Sequence, residues 1–160
     1  MSDLRYPLFC GAGAALGAMA AITLLARVEG KPALAPATAS SHWLWEDEDG
    51  RRPEDEPLRA GVGIATNVGA GLMWGGLLGA HLQRSPREPH EIVRDGAVMG
   101  AVAALLDYGL LPRRLSPGWE NTLSGRSVVL GMAGMTAGAI VGGLVAHALD
   151  GDSEPGWGEW

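Results

Sequence analysis

Long apolar stretches alternate with polar segments along the chain, and this alternation is the main structural signal of the sequence. The stretches are residues 8–26, 60–82, 92–111 and 127–149. Two of them, 60–82 and 127–149, contain no Asp, Glu, Lys or Arg, so a helix formed by either would have no polar face for water. A helix of about 20 apolar residues crosses the roughly 30 Å hydrocarbon core of a bilayer. Each stretch therefore predicts a membrane-spanning helix.

The pattern predicts an all-α fold, a four-transmembrane-helix bundle that forms one integral membrane domain over residues 1–160. Residues 27–59 form an acidic loop and residues 150–160 an acidic tail. A buried helical hairpin in a soluble core is the competing interpretation, but a chain this short cannot wrap two uncharged helices on every side. A signal peptide is the alternative for the first stretch, yet its 19 apolar residues exceed the usual length of about 7–15.

Composition and charge narrow the choice of partner and orientation. The formal net charge is −6 and no basic stripe is present, so nucleic acid is not an expected partner. The single cysteine, Cys10, excludes an internal disulfide. Eight of the twelve Lys and Arg residues lie in segments 27–59 and 112–126. The positive-inside rule therefore predicts that these two loops are cytoplasmic and that both termini lie outside.

The longer loops carry some predicted local structure. The Pro- and Ala-rich segment 31–39 is expected to be extended. Ser116 and Pro117 predict a one-turn helix that presents Trp119 and Leu123 to the membrane interface. Aromatic residues near the ends of the stretches are expected to anchor the bundle at the headgroups. These residues are Tyr6, Trp43, Trp45, Tyr108 and Trp119.

Glycine recurs at four-residue spacing inside the apolar stretches. Residues four apart share a helix face, and a face of glycine lets another helix backbone approach closely. The spacing therefore predicts GxxxG-type packing, either within one bundle or between copies of the chain. The helix-packing residues are Gly13 and Gly17, then Gly63, Gly71, Gly75 and Gly79, then Gly96 and Gly100, and finally Gly134, Gly138 and Gly142.

Asn67 and Asp107 are the candidate functional residues inside the stretches. Both lie toward the same side of the membrane on faces rich in small residues, so we expect them to meet, with help from Arg113 or Arg114. A carboxylate at this depth needs a partner or takes up a proton. Asp107 is therefore either part of a proton or ion site, or a tie between the third helix and the arginines of the following loop.

His81 and His147 end the second and fourth stretches on the opposite side of the membrane. A neutral imidazole ligates metals and haem well, but no third ligand stands at a useful spacing. Histidines at interfacial helix ends are the alternative interpretation. The sequence contains no coherent Ser–His–Asp set, no cysteine pair and no HExxH segment. It therefore predicts no catalytic residue, no metal site and no cofactor, and a protein that is not an enzyme.

Two segments carry a resemblance to a known family. SSHWLWEDE follows the first stretch, and DYGLLPRRLSPGWE begins at the end of the third. Through these segments, and over most of its length, the chain resembles a family of small proteobacterial four-span membrane proteins that has no established function. The resemblance implies four spans in a bacterial inner membrane and supplies no reaction. Relatives carry paired histidines in the second helix where this chain has Asn67 and Val68, so the resemblance implies no metal or haem site here.

Two classes of non-enzymatic function fit these features. Small size, many packing motifs and few buried polar groups favour an interaction, accessory or structural component of the membrane. Its partners would be the lipid bilayer and either further copies of the chain or another membrane protein. The alternative is a small oligomeric transporter or channel, which requires Asn67 and Asp107 to line a water-filled cavity.

Overall fold

The computed structural model describes residues 4–45, 56–85, 87–112 and 115–151, which form helices and turns without a strand among them. This confirms the prediction of an all-α fold. A π-helical turn at Leu106–Leu110 follows the fourth α-helix, and a 3-10 turn lies at Trp119–Asn121. The α-helices are α1 (Arg5–Val28), α2 (Ala35–Ala39), α3 (Glu56–Leu82), α4 (Pro89–Leu105) and α5 (Gly125–Gly151).

Three of these helices, α1, α3 and α5, are long and apolar enough to cross a membrane. Their outward surfaces are apolar as well: Leu16 of α1 is 71% exposed and Val129 of α5 is 68% exposed. A helix at a water surface would carry polar residues there. Lengths and surfaces together support a membrane protein. The fourth helix, α4, has only 17 residues, so the count of four spans stays a prediction.

The central helix of the bundle is α1, which packs closely against both α3 and α5, while α3 and α5 contact each other little. Small residues make the close approach possible. Gly13 and Gly17 of α1 lie against the backbone of Gly138 and Gly134 in α5. A Cβ atom added at Gly13, Gly17 or Gly138 would lie less than 3.0 Å from a carbonyl oxygen of the facing helix. The two backbones are therefore in direct contact.

The same arrangement recurs between α3 and the elements that it covers. Gly71, Gly75 and Gly79 lie against the backbone of α1, and Gly63 lies against the backbone of α2. A further contact of this kind joins Gly142 of α5 to α1. The facing residues are Ala15 for Gly71, Cys10 for Gly75, Tyr6 and Pro7 for Gly79, Ala37 for Gly63 and Phe9 for Gly142.

The position of α4 is different, because it packs on α5 through side chains. Gly96 lies against Ile140 and Gly100 lies against Thr136, in each case against side-chain atoms. The contact between α4 and α3 is slight. The bundle is therefore tight around α1 and open between α3 and α4, and we call this opening the α3–α4 cleft.

The prediction that residues 31–39 are extended is wrong. Residues Ala35–Ala39 form the short helix α2, with Pro36 in its first turn. A proline in the first turn favours a helix start, because its missing N–H would be unpaired there in any case. The turn is buried where Ala37 meets Gly63 of α3, so packing on a glycine supplies the stabilisation that the sequence pattern did not indicate.

The third apolar stretch is not one continuous α-helix. Its last part is a π turn, in which the backbone N–H of Leu111 donates to the carbonyl of Leu106 at 2.9 Å, five residues back. A π turn is wider than an α turn and interrupts the regular helix, and Asp107 is the second residue of this turn. Gly96 and Gly100 face α5, whereas Asp107 borders a space that α3 also lines.

The loop at residues 27–59, which we call loop one, and the start of α5 are joined by a polar cluster around Glu29. The carboxylate accepts hydrogen bonds from the backbone N–H of Ser124 at 3.0 Å and from Lys31 at 3.0 Å. Hydrogen bonds from Ser124, Ser127 and Lys31 lower the pKa of Glu29 to about 2. Lys31 also donates to the carbonyl of Thr122. The cluster holds the end of α1 against the loop that precedes α5.

The backbone contact between α1 and α5 can be tested with one added methyl group. Gly138→Ala places a Cβ against the carbonyl of Gly13 and should lower the free energy of unfolding by about 1–3 kcal/mol. The matched control is Gly76→Ala in α3, where an added Cβ meets nothing within 4 Å. The control should leave stability unchanged within about 1 kcal/mol. Denaturation of the detergent-solubilised protein with sodium dodecyl sulfate, followed by circular dichroism, measures both; equal effects would contradict the packing.

Candidate functional site

Asn67 joins three separate segments of the chain. It lies on α3, is 5% exposed, and uses both ends of its amide. Its Nδ2 donates to Ser40 Oγ and to the carbonyl of Gly63, each at 2.8 Å. Its Oδ1 accepts a hydrogen bond from the indole N–H of Trp119 at 2.8 Å. A buried polar group needs such partners. Asn67 therefore links loop one and the loop before α5 to α3 by hydrogen bonds.

The prediction that Trp119 and Leu123 are presented to the membrane interface is wrong. Trp119 is 3% exposed and Leu123 is also buried. The one-turn helix exists, but it begins after Gly118, whose left-handed backbone (φ 78°) turns the chain inward, and not at Ser116. A buried indole N–H usually finds an acceptor. Here that acceptor is Asn67, and this bond holds Trp119 inside.

A cavity of about 300 Å³ lies beside Asn67, between loop one, α3, the π turn and the loop before α5. We call it the Asp107 cavity. Asn67 and Asp107 both line it, although their own hydrogen bonds go elsewhere. Asn67 is bonded as described above, and Asp107 accepts a hydrogen bond from the indole of Trp74. The polar and aromatic residues that line the cavity are Ser40, Trp43, Thr66, Asn67, Trp74, Asp107 and Ser116.

The expected help from Arg113 or Arg114 concerns positions that lie outside the described residues. Within the described ranges, no ion pair joins Asp107 to a Lys, Arg or His side chain. Its carboxylate therefore borders the cavity with one indole N–H as its hydrogen-bond partner.

A second cavity, of about 280 Å³, occupies the α3–α4 cleft toward the other end of these helices. We call it the His81 cavity. It is lined mostly by apolar side chains, with His81 and Asp95 as its polar residues. Trp74 lines both cavities and lies between their polar ends. Each cavity thus has one carboxylate in its lining, and the indole of Trp74 lies between the two cavities.

The two candidate histidines have different surroundings, and His81 contacts charged side chains. His81 Nε2 lies 3.2 Å from Asp95 Oδ2 and 3.4 Å from an Arg87 nitrogen. Asp95 also pairs with Arg94, at 2.8 Å. His147 is a half-buried residue of α5. In the part of the chain that the structure describes, no group of three or more His, Cys, Asp or Glu side chains could hold a metal ion.

Sequence reasoning did not identify Trp74, Ser40 or Thr66 as parts of the site. A signal was present, because Asn67 and Trp74 are seven residues apart and therefore share one face of a helix. Ser40 offered no such signal, since only the fold of loop one brings it to Asn67.

No family model, curated protein or solved structure matches the chain. The geometry of the two cavities is therefore the main indication of function.

The joining role of Asn67 can be tested by replacing its amide. Asn67→Leu leaves the Trp119 indole and the Ser40 hydroxyl without their partner, and should cost about 1–3 kcal/mol of stability. Thr66→Ala is the neighbouring control. This variant removes the exposed hydrogen bond that Trp43 Nε1 donates to Thr66 Oγ1 (3.1 Å). It should lower the free energy of unfolding by about 0.5–1 kcal/mol or less. The midpoint of thermal unfolding in mild detergent measures both, and a control as damaging as Asn67→Leu would refute the assignment.

Proposed function

We propose that the protein crosses a bacterial inner membrane four times. The fourth span is α4 together with the π turn, residues 89–110, whose length of about 33 Å at about 1.5 Å per residue matches the roughly 30 Å hydrocarbon core. The charged residues of α4, Glu91, Arg94 and Asp95, lie near its start, where headgroups can solvate them. The excess of Lys and Arg in loops 27–59 and 112–126 supports a cytoplasmic location for both loops. The four-span family that the sequence resembles supports the same arrangement.

The number of spans and their orientation can be tested by thiol labelling. Leu34→Cys, Arg84→Cys and Asn121→Cys each place a thiol on an exposed loop residue, while the native Cys10 is fully buried and serves as the background. A membrane-impermeant maleimide should reach positions 34 and 121 from the cytoplasmic side and position 84 from the outer side. Labelling of 84 and 121 from the same side would rule out a fourth span, and exchanged sides would reverse the orientation.

For the function itself, we propose a small oligomeric transporter that moves a small solute or proton along the α3–α4 cleft. The observation that carries this proposal is that Asn67 and Asp107 line one cavity. Ionisable residues inside membrane domains commonly mark the path of a substrate, an ion or a proton. The second cavity, on the other side of Trp74, extends the possible path toward the opposite membrane face. A second copy packed along the cleft would separate that path from lipid.

An accessory or structural role is the second candidate. The slight contact between α3 and α4 favours it, because a helix of another membrane protein fits into such a cleft. The packing glycines support it less than their number suggests. Gly13, Gly17, Gly134 and Gly138 already face each other inside the chain, so their faces are not open to a partner.

Proton flux distinguishes the two candidates. The purified protein is reconstituted in vesicles that contain a pH-sensitive dye, and a potassium gradient with valinomycin sets the membrane potential. We expect uptake above that of protein-free vesicles, and a decrease of at least about tenfold in Asp107→Asn, because an amide cannot carry the proton. Glu56→Gln, an exposed carboxylate at the start of α3, is the control and should match the wild type. Absence of flux, combined with a stoichiometric partner that co-purifies in mild detergent, would instead establish the accessory role.

A further inference from the structure

The Asp107 cavity combines an unpaired carboxylate with space beside it. Its volume of about 300 Å³ is that of a small-molecule site. Among the described residues, Asp107 has no cationic partner, and no Lys or Arg lines the cavity with it. An ionised carboxylate in a poorly solvated place is stabilised by a cation. The carboxylate among the described lining residues therefore favours a positive ligand over an anion.

The remaining walls of the cavity indicate what kind of cation fits. Two indoles, Trp43 and Trp74, line it together with apolar side chains such as Met73 and Leu111. A cation close to an indole ring is attracted by the negative face of the ring, and quaternary ammonium groups are recognised in this way. Both indole N–H groups are already used, by Thr66 Oγ1 and by Asp107, so the rings contribute their π systems and apolar surface rather than new donors.

Inorganic cations fit the cavity less well. A hard cation such as Ca²⁺ takes about 6–8 oxygen ligands. The cavity offers one carboxylate, and the amide of Asn67 is committed to Ser40, Gly63 and Trp119. No cluster of metal-ligating side chains is present in the described part of the chain. Apolar groups on the cation, by contrast, would replace lipid or water against the indoles and Met73 with favourable contacts.

We propose that the Asp107 cavity binds an organic cation that carries apolar or aromatic groups, with Asp107 as its counter-ion and Trp43 and Trp74 against its apolar part. The inference deepens the proposed transport function by naming the class of solute, and it rests on that function only for what happens to the cation after binding. The His81 cavity does not offer the same site, because its carboxylate, Asp95, already pairs with Arg87 and Arg94.

Equilibrium dialysis of the full-length protein in nanodiscs, with radiolabelled benzyltrimethylammonium as the probe, tests this proposal. We expect saturable binding of about one cation per chain. Asp107→Asn should weaken the affinity by at least about tenfold, because it removes the counter-ion, and Asp107→Glu should retain part of it. Trp43→Ala should weaken it by about two- to tenfold. Glu56→Gln should bind as the wild type does.

Competition by an anion and a check of folding make the result decisive. Phenylmethanesulfonate, an anion of similar size, should not compete with the labelled cation. If it competes, or if wild type and Asp107→Asn bind the cation equally, the proposal is wrong. Should Asp107→Asn fail to fold, as judged by circular dichroism and gel filtration, the anion and Trp43→Ala decide. If the cation binds but neither the cation nor protons cross the vesicle membrane, this site is supported and the transport function is wrong. If protons cross but the cation does not bind, only this inference is wrong.

Discussion

Direct backbone contact between α1 and its two neighbours is the constraint on which the rest of the bundle depends. Side chains would keep these helices farther apart, and a Cβ at Gly13, Gly75 or Gly138 has no room. In lipid, helices gain little from burying apolar side chains, since the acyl chains are equally apolar. Close van der Waals contact over a glycine face is therefore a main source of stability, and it determines which helices lie side by side.

This constraint also explains why α4 is the exceptional helix. Gly96 and Gly100 meet the side chains of Ile140 and Thr136 instead of a backbone, so α4 is held less closely than α1, α3 and α5. Little contact forms between α4 and α3, so the His81 cavity lies between them, and the Asp107 cavity lies between α3, the π turn and the neighbouring loops. The tight half of the molecule is thus a scaffold, and the open half contains the polar groups that can meet a ligand.

The three long apolar helices and the glycine faces through which they pack could be predicted from the sequence because both depend on local periodicity. Helix length follows from the run of apolar residues, and Gly71, Gly75 and Gly79 share a face whatever lies opposite. The inward position of Trp119 could not be predicted in this way. It depends on one hydrogen bond to Asn67, 52 residues away, and on a turn at Gly118. The π turn was missed because it lies inside the apolar stretch and leaves the hydrophobic pattern unchanged.

A comparison of Asp95 with Asp107 shows why function is better assigned to the Asp107 cavity than to the His81 cavity. Asp95 contacts His81, Arg87 and Arg94, so its charge is neutralised within the chain, and its environment is that of a structural residue. Asp107 lies within the π turn, with a cavity beside it, an indole N–H as its partner and no cationic partner among the described residues. A charge left without a counter-ion costs free energy in a poorly solvated place, and a fold retains such a cost most readily where a ligand or a proton relieves it.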